Sequence, residues 1–483
     1  MTAARRVPLW RKVRLTQGVW ADPAPIRADL FGIERLEHHA ISLAAAQTLQ
    51  SGRPRRVANL LHRVKDNGRV LLGAYRSGAQ TLDSGQSITP AAEWLLDNFH
   101  IVEQQLRQIE DDLPPGYYRH LPKMADGPLA GYPRVLGLAW AFVSHSDSLI
   151  AQTALQRFVL AYQTVEPLTI GELWAVAITL RIVLIENMRR LAVQITQADR
   201  LRQAADAIVD QAVMDYSGTG GAHAFLARLD RAELPEIMAA QMAKRLRGID
   251  PAQMPLAAWL DGRLQAMGLT VDGVVANAQA RQGASNVTMR NIVTSMRQLS
   301  EVDWAEFFEA TSLIDARLRD AAGYADMDFA TRNSYRTAVE MLARQCASSD
   351  RASADRGNAD RGSAGANGAF HEMRVTEAAL GMAAAGQTRA ARDPGFALIG
   401  PGLAALQQDL GCRVPWPTAV ARHLRGVGLL GYLGSIGLVA VAFLFGALWI
   451  TGARGGVLVL AGAAVAFEAA ASLVNLVVTR VSG

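Results

Sequence analysis

The sequence predicts an all-α protein: a multi-helix soluble N-terminal region followed by a two-helix transmembrane hairpin. Three observations carry this. Apolar residues recur at i, i+3, i+4 and i+7 through most of the first 344 residues, the signature of amphipathic helices. Strand-like alternation is almost missing, so nothing suggests a sheet to cover. Two long apolar runs close the chain, 426–450 and 455–478, joined by Thr451-Gly-Ala-Arg454.

The organisation follows from composition. Residues 1–27 form a basic arm with no apolar stretch after it, which excludes a secretory signal peptide. Residues 28–346 form the helical region, expected on the cytoplasmic side. Residues 347–369 contain the near-repeat ADRGNADRGSA and no large apolar side chain until Phe370, so they read as a disordered linker. Residues 370–425 form a juxtamembrane segment, and 426–483 the hairpin. The 483 residues suffice for two or three domains.

Helices are expected over 28–50, 57–72, 88–111, 134–148, 150–163, 169–196, 199–214, 221–230, 233–246, 254–266, 271–280, 285–299, 303–320, 332–344 and 371–385. The 88–111 helix has the strongest start signal. Thr89 is a suitable N-cap, Pro90 fits the first helical position, and Glu93 sits in the first turn. Leu95, Phe99, Val102, Leu106 and Ile109 share one face, and Glu93, Asp97, His100 and Gln104 the opposite one. Leu113-Pro-Pro-Gly116 stops it, because proline lacks the N–H that the next turn needs. The apolar run in 169–196 is broken by Arg181 and Glu186, and reads as a buried core helix rather than a bilayer span.

The first C-terminal run has no charged residue over 25 positions. At ~1.5 Å per residue it reaches ~37 Å, enough for a ~30 Å hydrocarbon layer. Arg413, Arg422 and Arg425 precede it and Arg480 follows the second run, whereas only Arg454 lies in the turn. The positive-inside rule then puts both ends in the cytoplasm of a bacterial inner membrane. Glu468 stands alone as a carboxylate within the second run. Ser472 and Asn475 follow at i+4 and i+7, so the three form a polar intramembrane face, read as a seam for helices outside this chain. A proton-linked path and a lipid-facing carboxyl are the alternatives.

The formal charge is 49 − 44 = +5, almost all of it arginine and mixed with acids. No dense basic stripe with interleaved aromatics occurs, which argues against nucleic-acid binding. Cys346 and Cys412 lie far apart with no CxxC or histidine pattern, which argues against a metal site or disulfide scaffold and fits a reducing compartment.

No catalytic motif is present: no GxxxxGK[ST], dinucleotide fingerprint, HExxH or GxSxG. No catalytic, cofactor-binding or metal residue is therefore assigned, and no cofactor is expected in this chain. Glu93, Asp97 and His100 have ligand-like spacing, but the solvated polar face of a helix looks the same. Asp111-Asp112 reads as a solvated helix end, and His38-His39 point apart. Tyr117, Tyr118, Tyr132 and Trp140 could stack on a sugar or simply anchor loops. Tyr117, Tyr118, Tyr132, Glu93, Asp97 and His100 are kept as candidate contacts for a glucan or partner.

Five stretches resemble the N-terminal region of bacterial cyclic β-1,2-glucan synthases. They are ITPAAEWLLDNFHIVEQQLRQIEDDLPPGYYRHLPK (88–123), GPLAGYPRVLGLAWAFVSHSDS (127–148) and VEPLTIGELWAVAITLRIVLIENMRRLA (165–192). NVTMRNIVTSMRQLSEVDWAEFFEATSLIDARLR (286–319) and MDFATRNSYRTAVEMLAR (327–344) complete them. The resemblance spans most of 30–344, continues into the hairpin, and fails at 348–368 and 393–412. It implies a large inner-membrane enzyme that builds and cyclises a protein-linked glucan from UDP-glucose. It also implies that the transferase domain, with UDP-glucose and a divalent metal, follows the hairpin. This chain ends at Val481-Ser-Gly483, where that domain would start, so a truncated product or fragment is expected, inactive alone. The expected partners are the lipid bilayer, the transferase and further membrane helices, and β-1,2-glucan; no nucleic acid is expected. The alternatives are a stand-alone membrane-tethered helical adaptor and a small-molecule binder using the Tyr117–Tyr132 loop.

Overall fold

The computed structural model describes residues 18–50, 59–113, 121–216, 222–231, 233–248, 255–354, 368–412, 416–451 and 456–482. Among the described residues there are nineteen α-helices and no strand; extended backbone meets only at the isolated bridges Leu49–Met124 and Lys123–Pro133. The fold is all-α. The chain divides into two compact units, the second holding residues 321–323, 333–366 and everything from His371 on.

In the first unit, α1 (Ile33–Ala46), α2 (Leu60–Asp83), α3 (Pro90–Asp97) and α4 (Phe99–Asp112) precede α5 (Arg134–His145) and α6 (Gln152–Gln163). Helix α7 (Ile170–Tyr216) is the hub, and α2, α4, α5, α9 (Glu236–Leu246) and α11 (Val271–Glu301) pack along it. Helix α8 (Ala222–Leu229), α10 (Pro255–Ala266), α12 (Trp304–Thr311) and α13 (Leu313–Leu318) complete the unit. The far end of α7 has its own apolar cluster, built from Ala205, Val209, Phe225, Met242, Leu260 and Val274.

Several boundaries differ from the sequence reading, each for a local reason. Residues 169–196 and 199–214 are one helix of 47 residues, because Gln197-Ala-Asp199 contains neither proline nor glycine and Asp199 pairs with Arg202 one turn on. Likewise 271–280 and 285–299 fuse into the 31-residue α11, which carries Gly283 without a break. The expected single helix over 88–111 is instead divided at Asn98, with φ −116° and ψ 18°. The Asn98 side chain donates to the Trp94 carbonyl at 2.9 Å and accepts from Arg297, which holds the bend. The start of α3 is as the sequence implies: Thr89 caps the Ala92 N–H and Pro90 occupies the first turn. Ser312 turns extended and caps α13, dividing 303–320.

The second unit contains most of α14 (Phe329–Ala354) and of α15 (Gly368–Ala384), together with α16 (Pro394–Leu398), α17 (Leu403–Asp409), α18 (Trp416–Thr451) and α19 (Gly456–Ser482). Helix α14 runs to Ala354 and α15 starts at Gly368, so the expected linker begins as helix; residues 355–367 lie outside the described residues. The basic arm up to residue 17 lies outside them as well. The two cysteines correct the sequence reading. Cys346 and Cys412, 66 residues apart, form a disulfide with Cα atoms 4.5 Å apart. Spacing could not show this, because α17 must first fold back on α14.

Helices α18 and α19 pack on each other. Gly431–Trp449 is long and apolar enough to cross a membrane, whereas the apolar stretch of α19 among the described residues is the shorter Gly462–Leu476. These are not core helices of a soluble domain: Leu438 is 74%, Val441 68%, Phe445 67% and Trp449 81% exposed. The contact seam uses small residues. Ala466 and Ala470 are buried, and a Cβ on Gly462 would meet Leu444 at 3.3 Å.

Candidate functional site

The hairpin separates its small seam from its polar face. Glu468, Ser472 and Asn475 are all exposed on α19, away from the buried Ala466 and Ala470. At 100° per residue the two sets lie on roughly opposite sides of the helix. Asn475 reaches the edge of the seam, where its Oδ1 accepts a hydrogen bond from Tyr432. Glu468 therefore faces outward from the helix pair.

The other predicted candidates scatter. Glu93 and Asp97 are exposed on α3, and His100 is exposed on α4 beyond the bend. Among the described residues no group of three or more His, Cys, Asp or Glu side chains is placed to hold a metal ion. Tyr117 and Tyr118 lie outside the described residues. Tyr132 is buried, with the Trp20 ring edge-on at 5.7 Å, and Trp20 also meets Trp140 at 5.6 Å. The aromatic pair thus clamps the 18–20 turn. His39 and His145 lie 4.5 Å apart between ring centres beside Phe31, and partial burial, then the charge of His145, hold His39 below the usual histidine range.

The groups that the sequence reading missed are buried polar clusters along α7. Thr169 and Glu172 form a capping box: Glu172 Oε2 accepts from the Thr169 N–H and hydroxyl at 2.9 and 3.0 Å, and the Glu172 N–H donates to Thr169 at 3.1 Å. The same carboxylate takes a two-pronged contact from Arg134, at 2.7 and 2.8 Å. Burial opposes the Arg134 charge, but Glu172 outweighs it and the guanidinium is held more firmly protonated than usual. Tyr162, packed beside this pair, is pushed up to about 12, chiefly by burial.

About four turns on, Glu186 is fully buried and accepts from Arg63 at 2.9 and 2.7 Å, Asn67 at 2.8 Å and Arg190 at 3.0 Å. Burial alone would raise its carboxyl; hydrogen bonds and charge from Arg63 and Arg190 prevail, and it lies below the usual glutamate range. Arg63 also holds the Trp20 carbonyl, while Arg190 holds those of Val19 and Ala24. The ionic cluster therefore fastens the 19–24 segment to α7.

A third cluster joins the quoted sequence stretches in space. Asp147 and Ser148 follow α5 with φ of 47° and 64°, left-handed values that cost side-chain-bearing residues energy. Helix α11 supplies the restraint through Thr288, Asn291 and Ser295, one buried stripe. Thr288 donates to Asp147 Oδ1 at 2.6 Å, Asn291 to the Asp147 carbonyl at 3.1 Å, and Ser295 to the Ser148 carbonyl at 2.8 Å. Asn187 on α7 donates to Ser148 at 2.8 Å and brackets Ile26 through both its N–H and its carbonyl. These carboxylates, amides and hydroxyls are spent on one another. The arrangement orients helices; it does not present a reactive group to an open cavity. The one alignment signal available was the polar period Thr288-x-x-Asn291-x-x-x-Ser295 within an otherwise apolar face. A small cleft between α2, α3 and α7 is lined by Gly78, Thr81, Leu95, Leu96 and Asp199, and burial raises the Asp199 carboxyl.

No protein-family model matches the chain. Over 288 residues, 60% of this chain, it is 36% identical to the cyclic beta-(1,2)-glucan synthase NdvB of Rhizobium meliloti (strain 1021). The match covers 10% of that protein, so the chain spans about a tenth of the length of the curated relative it matches. With this identity over that length, the chain is related to the cyclic β-(1,2)-glucan synthases.

Proposed function

We propose that this chain is the non-catalytic helical scaffold and membrane-anchor portion of a cyclic β-1,2-glucan synthase that draws on UDP-glucose. The observation that carries the reading is the 288-residue match to a glucan synthase, joined to a region whose buried polar groups are engaged in holding helices together. In this reading α18 and α19 sit in the bacterial inner membrane with both ends cytoplasmic. The outward face of Glu468, Ser472 and Asn475 meets further membrane helices, because a carboxylate facing lipid is costly. UDP-glucose and a divalent metal belong to a transferase domain, not to residues of this chain. The exposed Glu93, Asp97 and His100 are the surface offered to that domain or to the growing glucan, with Tyr117 and Tyr118 as further candidate contacts.

Two measurements test this. Purified chain in lipid nanodiscs, given radiolabelled UDP-glucose and Mg2+ or Mn2+, should label neither protein nor soluble glucan; labelling overturns the non-catalytic assignment. A synthase in which the matched stretch of the relative is replaced by that of this chain should still make glucan. A well-expressed, membrane-inserted chimera that makes none overturns the scaffold assignment.

A further inference from the structure

The 393–412 segment, α16 and α17 included, lies against α14 and α15. Tyr335 donates to Asp393 at 2.8 Å, and Asp393 also caps the Gly395 N–H at 2.7 Å. Gln407 donates to Gln345 at 3.1 Å, and Arg374 donates to the Leu410 carbonyl at 3.2 Å. Leu398 and Leu406 are buried beneath. The covalent member of the set is Cys346–Cys412, where Cys346 follows Gln345 directly and Cys412 stands four residues before Trp416, the first residue of α18. The bond is therefore placed where the 393–412 segment hands over to the apolar helix. Beside it, among the described residues, the segment is held by these hydrogen bonds and by the buried side chains of Ala397, Leu398, Leu406 and Leu410.

We propose that Cys346–Cys412 is a thiol–disulfide exchange site that acts as a redox clamp on the 393–412 segment, with a dithiol reductant as its reaction partner. Cys412 is 9% exposed and Cys346 2%, so the attacked sulfur is that of Cys412. A thiolate of the dithiol bonds to Cys412 Sγ and breaks the Sγ–Sγ bond. Cys346 leaves as a thiolate and takes a proton from solvent. The second thiol of the reductant, deprotonated, then attacks the mixed disulfide, and Cys412 leaves as a thiolate and is protonated in turn. Two electrons pass to the protein, and the reductant departs as its own disulfide. In the reduced state 393–412 gains freedom relative to α14, and the covalent link that shortens the path from α14 to α18 is open. The inference does not depend on the glucan-synthase reading, since it concerns the chain's own two sulfurs.

The test uses the full chain in detergent or nanodiscs, purified without reductant. Acid quenching followed by an alkylating reagent and intact mass should find no modified thiol; dithiothreitol should yield doubly alkylated chain. A titration through glutathione buffers should pass from none to two labels as one two-electron step. Two readily alkylated thiols before any reduction, or labels that no reductant can produce, overturn the proposal. Hydrogen exchange supplies the second readout. Amides over 403–412 should exchange at least about ten-fold faster after reduction, while α7 amides stay unchanged. The Cys346→Ala/Cys412→Ala chain, whose small side chains fit the buried site, should match the reduced form with or without dithiothreitol. Equal exchange in the oxidised, reduced and alanine forms shows that the bond clamps nothing and overturns the proposal.

Discussion

Replacing Glu186 by glutamine isolates the central ionic cluster. Glu186 receives four hydrogen bonds from Arg63, Asn67 and Arg190, and the side chains of Arg63 and Arg190 are 5% and 2% exposed. Glutamine keeps the shape but removes the charge, and its NH2 group must point at a donor. In either orientation of the amide Arg63 loses one of its two hydrogen bonds to residue 186 and the counter-charge, keeping one bond to the glutamine oxygen and the Trp20 carbonyl, while Arg190 keeps the carbonyls of Val19 and Ala24. Breaking a buried pair while leaving its partner charged costs about 3–5 kcal/mol. Hydrogen exchange in α2 and in the Val19–Ile26 segment should accelerate about a hundred-fold or more, since ~1.4 kcal/mol is ten-fold. Arg63→Met combined with Glu186→Gln should cost less than the sum of the two single changes. Acidity offers an independent check. The Glu186 carboxyl lies below its unfolded value of roughly 4.3. Its stabilisation is therefore complete above that pH and is lost as pH falls through the lower folded-state value. Glu186→Gln should flatten that acid-side loss. A cost under about 1 kcal/mol, with unchanged exchange in α2, would refute the reasoning.

Asn291→Leu removes the donor to the Asp147 carbonyl and should cost about 1–3 kcal/mol, read as faster exchange at Ser148 and Ile150 and no change in α10. Gly395→Ala places a Cβ against Tyr335 Oη, so the ring must move and lose Asp393; a loss of about 1–3 kcal/mol should appear as protease cleavage within 386–402. Tyr162 should resist ionisation until about pH 12, seen as a missing phenolate absorbance step when Tyr162→Phe is subtracted. Because its folded value lies above the unfolded ~10, the stability it confers is present below that pH and declines between there and about 12.

The legible parts of this fold were those that local chemistry decides. Thr89-Pro90 announced the start of α3, and Arg181 with Glu186 marked their helix as a protein core rather than a bilayer span. The structure puts that helix at the hub, with Glu186 fully buried. What sequence spacing could not carry were effects set by partners far along the chain. Asn98 bends a helix that its periodicity reads as continuous, because Arg297 waits 199 residues away to hold its carbonyl oxygen. Asp147 and Ser148 adopt left-handed backbone only because α11 presents three polar side chains to them. Cys346 and Cys412 looked unrelated until α17 brought them together. Of the candidate surfaces, Glu93, Asp97 and His100 were legible as exposed; that the bend divides them between two helix axes was not.

The same distinction explains the two ionisable stripes of the chain. Helix α7 carries Glu172, Glu186 and Arg190 on apolar faces and matches these three with partners supplied by α2, α5 or itself. Helix α19 carries Glu468 on an apolar face, and its own seam with α18 consists of small residues that turn the carboxylate outward. An apolar helix with matched charges is complete within this chain. An apolar helix whose carboxylate points away from its packed seam calls for a donor from outside the pair. Glu468→Leu tests this. If a neighbouring membrane helix supplies the donor, the change should weaken assembly with that helix while the α18–α19 pair still inserts. If that face simply meets lipid, leucine should improve insertion and leave assembly untouched.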